Sequence, residues 1–163
     1  FIPSENYWVK IEGVRMIGFR SISIAGVRDP IMIEKIDKIL KEVVLKVREI
    51  MGKDGKNGQI YFHVYGKNGV MGELEPVKRT LSHELGLVIE TIGKTQEEAD
   101  SLLALTRSAL LHYGYEGRIA TAGNLAFPFS PSDISMGKVY EFSVYHLMQV
   151  DRPDFFLSRV EEL

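Results

Sequence analysis

The stretch "SISIAGVRDPIMIEKIDKILKEVVLKV", Ser21–Val47, contains a strand, a helix start and a helix in one continuous run. Before Arg28 the residues alternate between two sides, which is the two-residue period of a β-strand. Asp29 and Pro30 form a typical helix start, because the aspartate can accept hydrogen bonds from free backbone N–H groups and proline suits the first helical position. Apolar residues then recur at steps of three and four up to Gly52, which predicts an amphipathic helix of about five or six turns.

The remaining elements extend this pattern to a complete fold. Alternating residues predict strands at Phe19–Val27, Gln59–Gly66, Leu85–Gly93 and Lys138–Val150. A second helix begins at Thr95–Glu98, "TQEE", where the threonine and the glutamate can cap each other's neighbouring N–H groups. The order β-α-β-β-α-β predicts an α+β fold, a ferredoxin-like two-layer sandwich with both helices on one face of an antiparallel sheet.

The N-terminal region adds one more predicted element to this core. Tyr7–Val14 alternates as a strand, and a break near Gly18 separates it from the next one, so we expect an extra strand at the edge of a five-stranded sheet. Residues 1–163 are predicted to form a single domain. The chain opens "FIPSENYW" without an initiator methionine, which favours the C-terminal fragment of a longer polypeptide.

Composition excludes several classes of protein. The net charge is −2, whereas a dedicated nucleic-acid binder needs a basic excess for its phosphate contacts, so we expect no nucleic-acid partner. The chain has no cysteine, which rules out disulfides and thiolate metal sites and favours a reducing, cytoplasmic setting. No apolar run approaches the roughly 18 residues that a membrane-spanning helix needs, and we expect no membrane partner.

A long loop before the last strand stands out. About twenty residues, Glu116–Ser135, lie where the usual connection has only a few. Phe127-Pro128 and Ser130-Pro131 force extended backbone there and stiffen it. We expect Leu125, Phe127 and Phe129 to dock against a surface, with Asn124, Ser130 and Asp133 at its edge.

The second face of the predicted sheet carries aromatic residues, including Tyr61 and Tyr65 on either side of His63. Such a face can be an interface with a larger protein or a second copy, or it can pack under a long loop. Base stacking as in RNA-recognition domains is the third reading. It is disfavoured, because the basic glycine-aromatic signature of those domains is missing.

No complete catalytic constellation is visible in the sequence. The four histidines are scattered without a metal-ligand spacing, so we predict no metal site, and the cofactor stays open. "GKNGVMG", Gly66–Gly72, lacks the Lys-Ser/Thr ending of a phosphate loop and is predicted to be a tight turn. Polar residues at strand ends and in ordered-looking loops are the candidate ligand-binding residues. They are Arg28, Asn68, Glu73, Arg118, Asn124, Ser130 and Asp133.

Each candidate also has a structural reading that the sequence leaves open. Arg28 can clamp a carboxylate or phosphate, or it can form a salt bridge with a nearby acid. Glu73 is a candidate general base if it is buried. Asn124 can bind a ligand or brace the backbone of the loop. The catalytic residues themselves stay unknown.

Several stretches together resemble the C-terminal part of the acyclic terpene utilisation family of bacterial and fungal proteins. They are "VKIEGV", "GFRSISIAGVRDPIMIEKID", "FHVYGKNGVMGELEP", "HELGLVIE", "TRSALLHYGYEGRIATAGNLAFPFSPSDI" and "VYEFSVYHLMQVD". The resemblance covers the chain from about Phe1 to Asp151 in the right order. It implies a catabolic, cytoplasmic role near acyl-CoA enzymes, and a missing N-terminal portion that holds or shares the active site.

Two functions remain at this point. In the first, the chain is the C-terminal domain of a catabolic protein acting near acyl-CoA, terpenoid or organic-acid breakdown, and it contributes an active-site wall or an interface. In the second, it is a non-catalytic module for oligomerisation or for binding a small metabolite. The expected partners are the N-terminal portion, further copies in a homo-oligomer, and a small carboxylate or acyl-CoA metabolite.

Overall fold

The structure is a computed structural model, and it describes residues 2, 5–52, 58–152, 154–157 and 159–161. Four strands and three helices follow one another along the chain. They are β1 (Tyr7–Val27), α1 (Pro30–Glu34), α2 (Ile36–Met51), β2 (Gln59–Tyr65), β3 (Leu85–Gly93), α3 (Gln96–Leu111) and β4 (Asp133–Val150). A short 3₁₀ helix, Gly72–Leu74, lies between β2 and β3.

The strands form one antiparallel sheet in the order β2-β3-β1-β4, which confirms the predicted α+β class. The predicted break near Gly18 is wrong: Tyr7–Val27 is one continuous strand, so the described residues form a four-stranded sheet in which Tyr7–Val14 is not a strand of its own. Gly18 serves close packing here. Its φ of 155° and a virtual Cβ only 2.4 Å from the carbonyl oxygen of Gly93 leave room for glycine alone.

The chain divides into two compact units. The larger, Gly18–Val139, is called the body, and the smaller, formed by Phe1–Ile17 and Tyr140–Leu163, is called the ribbon. In the body, alternate residues of β1, β2 and β3 face the helices and complete a common core. Its fully buried members include Val27, Met32, Ile36, Ile39, Val43, Leu87, Ile89, Leu102, Leu103 and Leu110. The ribbon consists of Tyr7–Ile17 of β1 beside the antiparallel Tyr140–Val150 of β4, with the described residues that follow it.

The predicted helix start at Asp29 is confirmed. Its Oδ1 accepts hydrogen bonds from the backbone N–H groups of Ile31 at 2.8 Å and Met32 at 3.3 Å, and Pro30 occupies the first helical position. The predicted single helix is interrupted at Lys35, where α1 gives way to α2, and it ends at Gly52 with φ of 58°.

The start of α3 confirms the predicted cap as well. Thr95 Oγ1 accepts a hydrogen bond from the Glu98 N–H at 3.1 Å, and Glu98 Oε2 accepts one from the Lys94 N–H at 2.8 Å. Within the described part of the chain, no helix is long and apolar enough to cross a membrane.

The long loop runs from the end of α3 to Ser132 and lies against the body. Ala126 forms an isolated antiparallel bridge with Gly26 of β1, with N···O distances of 2.7 and 2.9 Å. Leu125 packs against the core, and Phe127 is half-buried beside Arg107, as predicted. Phe129 is 46% exposed, so the docking prediction is wrong for this residue.

Candidate functional site

A groove of about 580 Å³ lies between α1 and the connection that joins β2 to β3. We call it the basic groove. Its cationic side chains come from the end of β1 and from that connection: Arg28, Lys67, Lys78 and Arg79, together with His83. Pro30, Ile33, Glu34, Asp37, Thr80 and Ser82 complete the lining. The volume lies within the range of small-molecule sites.

A compact turn after β2 places Lys67 in the groove. The carbonyl oxygen of Val64 accepts from the N–H groups of Lys67, Asn68 and Gly69 at 3.2, 3.1 and 2.8 Å. A Cβ at Gly69 would lie 2.8–3.0 Å from backbone atoms of the preceding strand, so glycine is required for this close approach. The prediction of a tight turn at Gly66–Gly72 is therefore confirmed.

The cations of the groove are neutralised to different degrees. Lys67 Nζ lies 2.8 Å from Asp37 Oδ2, and this lysine is mostly buried. Arg28 Nε lies 3.5 Å from Glu84 Oε1, and both side chains are largely exposed. The exposed, solvent-screened pair of Arg28 holds its guanidinium only weakly. Arg28 therefore forms a salt bridge with an acid, which was one of its two interpretations. It also lines the groove, where the other interpretation, binding of an anionic ligand, remains open to it.

Lys78 and Arg79 form no ion pair with a carboxylate of the described residues. Lys78 Nζ donates to the backbone carbonyls of Glu75 at 2.7 Å and Glu73 at 3.5 Å, which satisfy hydrogen bonds but supply no negative charge. Arg79 makes no ion pair or hydrogen bond with the part of the chain that the structure describes. Glu34 and Asp37 also line the groove, but its four lysine and arginine side chains outnumber these two carboxylates. The lining therefore keeps a net positive charge that attracts an anion.

Two more predicted residues lie next to the basic groove. Asn68 and Glu73 line a smaller cavity of about 270 Å³, which shares Asp37, Lys67 and Lys78 with the larger one. The structure thus brings Arg28, Asn68 and Glu73 to one side of the body. Glu73 is exposed, so the burial that the general-base interpretation required is not found.

Arg118 and Asn124 lie together at the C-terminal end of α3. Asn124 Nδ2 donates to the carbonyls of Leu110 at 3.0 Å and Tyr113 at 2.8 Å, and Arg118 Nη1 lies 3.4 Å from the carbonyls of His112 and Tyr113. These contacts satisfy carbonyls that the end of a helix leaves without partners. The side-chain amide of Asn124 therefore braces the backbone, which was one of its two predicted roles.

Ser130 and Asp133 lie apart from both groups. Ser130 is exposed and precedes Pro131 through a cis peptide bond. Asp133 Oδ1 lies 2.6 Å from Arg107 Nε, as a close ion pair at the start of β4. The structure therefore does not bring the seven predicted residues into one site, and Arg28 is the one of them that lines the basic groove.

A cluster of hydrogen bonds around Asp100 connects α3 to β1 and β4. Asp100 Oδ1 accepts from Ser21 Oγ at 2.5 Å and from Gln96 Nε2 and Ser135 Oγ at 2.9 Å each. Burial opposes ionisation of Asp100, but the hydrogen bonds from Ser21, Gln96 and Ser135 outweigh it and lower the pKa of this carboxyl. Ser21 is fully buried, so we interpret this network as structural.

Asp29 has a similar environment near the groove. Burial alone would raise its pKa, but hydrogen bonds from the Tyr115 hydroxyl and the N–H groups of Ile31 and Met32 lower the pKa of the carboxyl. Burial and then the Asp29 carboxylate raise the pKa of Tyr115 to about 12. The cap is therefore a charged, fully engaged group, and it does not face the groove as a free base.

The uncovered sheet face of the body carries Tyr61, His63 and Tyr65, as predicted. Glu90 contacts two side chains there: its carboxylate lies 2.6 Å from Arg20 Nε and 2.7 Å from His63 Nε2. Among the described residues, no three histidine, aspartate or glutamate side chains are grouped to hold a metal ion.

Sequence reasoning missed Lys78 and Arg79 as site residues. They lie in a connection without helical or strand period, and their approach to α1 depends on the tertiary fold. The adjacent basic pair "KR" in an otherwise acidic stretch, "ELEPVKRTLSHE", was the available signal. Comparisons with protein-family models, with curated proteins and with solved structures found no match for this chain.

Proposed function

We propose that this chain binds a small organic anion, a carboxylate or a phosphate-bearing metabolite such as an acyl-CoA, in the basic groove. In this proposal the chain is a domain of a catabolic protein and forms one wall of its ligand site. The reaction itself is left open: Thr80, Ser82 and His83 line the groove, but the Ser82 hydroxyl donates to the Gly66 carbonyl and no hydrogen bond among the described residues joins a hydroxyl to His83.

One observation carries the proposal: Lys78 and Arg79 line the basic groove without a carboxylate partner in the described part of the chain. Neighbouring Arg28 is only loosely held by Glu84. Cations converging on a concave, partly apolar surface bind carboxylates and phosphates through charge-assisted hydrogen bonds. Ile33 and Pro30 provide an apolar floor for the rest of the ligand.

The broader setting rests on the resemblance to the acyclic terpene utilisation family. That resemblance supports a role in acyl-CoA, terpenoid or organic-acid breakdown, a cytoplasmic location and an N-terminal portion that completes the site. The sheet order β2-β3-β1-β4 with helices after β1 and β3 supports a ferredoxin-like arrangement, which is part of the same proposal.

Calorimetric titration of the chain with citrate and with coenzyme A tests the binding. We expect saturable binding that weakens with added salt, because exposed charges are screened. Replacing both free cations, Lys78→Gln with Arg79→Gln, should raise the Kd roughly 10-fold or more, as expected for charge-assisted hydrogen bonds.

The matched control is Lys46→Gln together with Lys138→Gln, which removes the same charge from exposed positions outside the groove. This control should change the Kd by less than about 2-fold, since distant exposed charges are largely screened. If both double variants weaken binding equally, the attraction is a property of net charge and the groove is not the site. Absence of saturable binding to either ligand also contradicts the proposal.

A further inference from the structure

The ribbon exposes apolar side chains along both of its strands. Phe142 is 68% exposed and Leu147 is 61% exposed. The other exposed large apolar residues of these two strand segments are Trp8, Val14, Met16, Ile17, Tyr140, Val144 and Tyr145. On β4 they occupy both alternating sets, 140/142/144 and 145/147, so neither side of this strand segment is covered by described residues of the ribbon.

The free edge of β4 lacks the usual protection against pairing. β4 is an edge strand in the sheet order, and Tyr140–Val150 contains no lysine, proline or glycine. Its one acidic residue, Glu141, is held by Arg15 of β1 at 2.6 Å. Natural edge strands are normally guarded by charge, proline or bulges, because unpaired backbone groups attract another strand. An unguarded edge about eleven residues long indicates a surface that a partner strand covers.

The charges of the ribbon strands favour a second copy as that partner. Lys10 lies 2.6 Å from Glu12, and Arg15 lies 2.6 Å from Glu141, so each cation of these segments is neutralised within the same copy. A two-fold interface brings each surface against itself, and a net charge on it would repel its own image. The two strand segments of the ribbon carry no net charge from these pairs. Two copies can therefore approach through this surface without electrostatic repulsion.

Exposed apolar side chains of β4 add to the backbone pairing. Tyr140, Phe142 and Tyr145 are each more than half exposed, and lateral contact with the side chains of a partner strand covers part of that surface. A two-stranded ribbon is marginal by itself in water and gains stability when further strands are added.

We propose that the edge of β4 at Tyr140–Val150 pairs antiparallel with the same edge of a second copy of this chain. The two ribbons then form one four-stranded antiparallel sheet about a two-fold axis. Self-pairing of one strand about such an axis is necessarily antiparallel, so each copy contributes the same residues. The exposed rings of Phe142 and Tyr145, which already contact edge to face at 6.4 Å, lie in the contact.

Analytical ultracentrifugation of the whole chain tests this. We expect the dimer fraction to rise with protein concentration and to dominate by roughly 100 μM, since interfaces of standard size have Kd values in the micromolar range or below. Leu147→Lys should raise the dimer Kd by roughly 30-fold or more, because it places a charge in the apolar centre of the contact. Leu45→Lys is the matched control: it makes the same change at a leucine that is 69% exposed on α2, and it should leave the Kd unchanged.

Amide hydrogen exchange provides a readout that needs no variant. Alternate amides of Tyr140–Val150 should become protected as the concentration of wild-type chain rises, whereas the amides of β2, the other edge strand, should not change. A strictly monomeric wild-type chain overturns the proposal. A dimer that Leu45→Lys weakens as much as Leu147→Lys does, or one without concentration-dependent protection of β4, overturns it as well.

Discussion

The body and the ribbon use the same two strands, β1 and β4, in opposite ways. In the body, Ala25 and Val27 of β1 are buried because helices cover that side of the sheet. In the ribbon, Val14 and Met16 of the same strand are exposed. Both segments have strand sequences, so alternation identifies the strand but does not tell what covers it. The body buries its apolar side chains in a core, and its candidate binding surface is the basic groove. The exposed surface of the ribbon is apolar.

Truncation of a leucine in each region gives the largest expected contrast. Leu102→Ala removes a fully buried side chain of α3, and we expect a loss of about 2–5 kcal/mol in the free energy of unfolding, because the transfer energy is lost and a cavity remains. Leu147→Ala in the ribbon should cost less than about 0.5 kcal/mol when the chain is dilute, since its side chain is already exposed.

Urea unfolding followed by circular dichroism measures both values. Dilute conditions matter, because dimerisation through the ribbon would add the interface energy to the apparent stability of the wild type and would enlarge the apparent loss in Leu147→Ala. Equal losses in the two variants at low concentration would mean that the ribbon has a packed core of its own. The contrast between the two regions would then be wrong.

Removing one carboxylate from each region should produce a smaller contrast. Asp100→Asn weakens three hydrogen bonds to a charged acceptor in the body, and we expect a loss of about 1–3 kcal/mol at neutral pH. Glu141→Gln in the ribbon breaks an exposed ion pair with Arg15 and should cost less than about 1 kcal/mol.

The pH dependence of unfolding separates the electrostatic part of this loss. The pKa of Asp100 is lowered in the folded chain from its ordinary value of 3.8. Its contribution to stability is therefore present above that value and is lost as the pH falls through the folded pKa. Between about pH 5 and 3 the wild-type free energy of unfolding should fall more steeply than that of Asp100→Asn. Parallel curves would show that the carboxylate contributes no charge-dependent stability.

Local rules predicted most of the fold. Asp29, Pro30 and the Thr95–Glu98 cap act within a few residues of where they stand in the chain, so the sequence alone locates both helix starts. Gly18 was misinterpreted for a tertiary reason. Position 18 requires glycine because the backbone of Gly93 approaches it closely from the neighbouring strand. A single sequence cannot distinguish a glycine needed for such an approach from a glycine in a turn.

The candidate site was predictable only in part. Arg28, Asn68 and Glu73 follow strands, and strand ends are where a fold places loops that converge. Lys78 and Arg79 lie in a connection without period, and the tertiary fold alone brings them to α1. Arg118 and Asn124 have the residue types of a ligand site, but the end of α3 uses their hydrogen-bond donors for its own carbonyls.

Amide chemical-shift mapping of the ¹⁵N-labelled chain during titration with coenzyme A tests the central claim, that the body binds an organic anion in the basic groove. The account predicts saturable shifts concentrated at Arg28, at Lys67 and along 78–83, with the amides of the β4 edge unchanged. Shifts centred on Arg118 and Asn124 or on the uncovered face at Tyr61, or shifts that do not saturate, would contradict it.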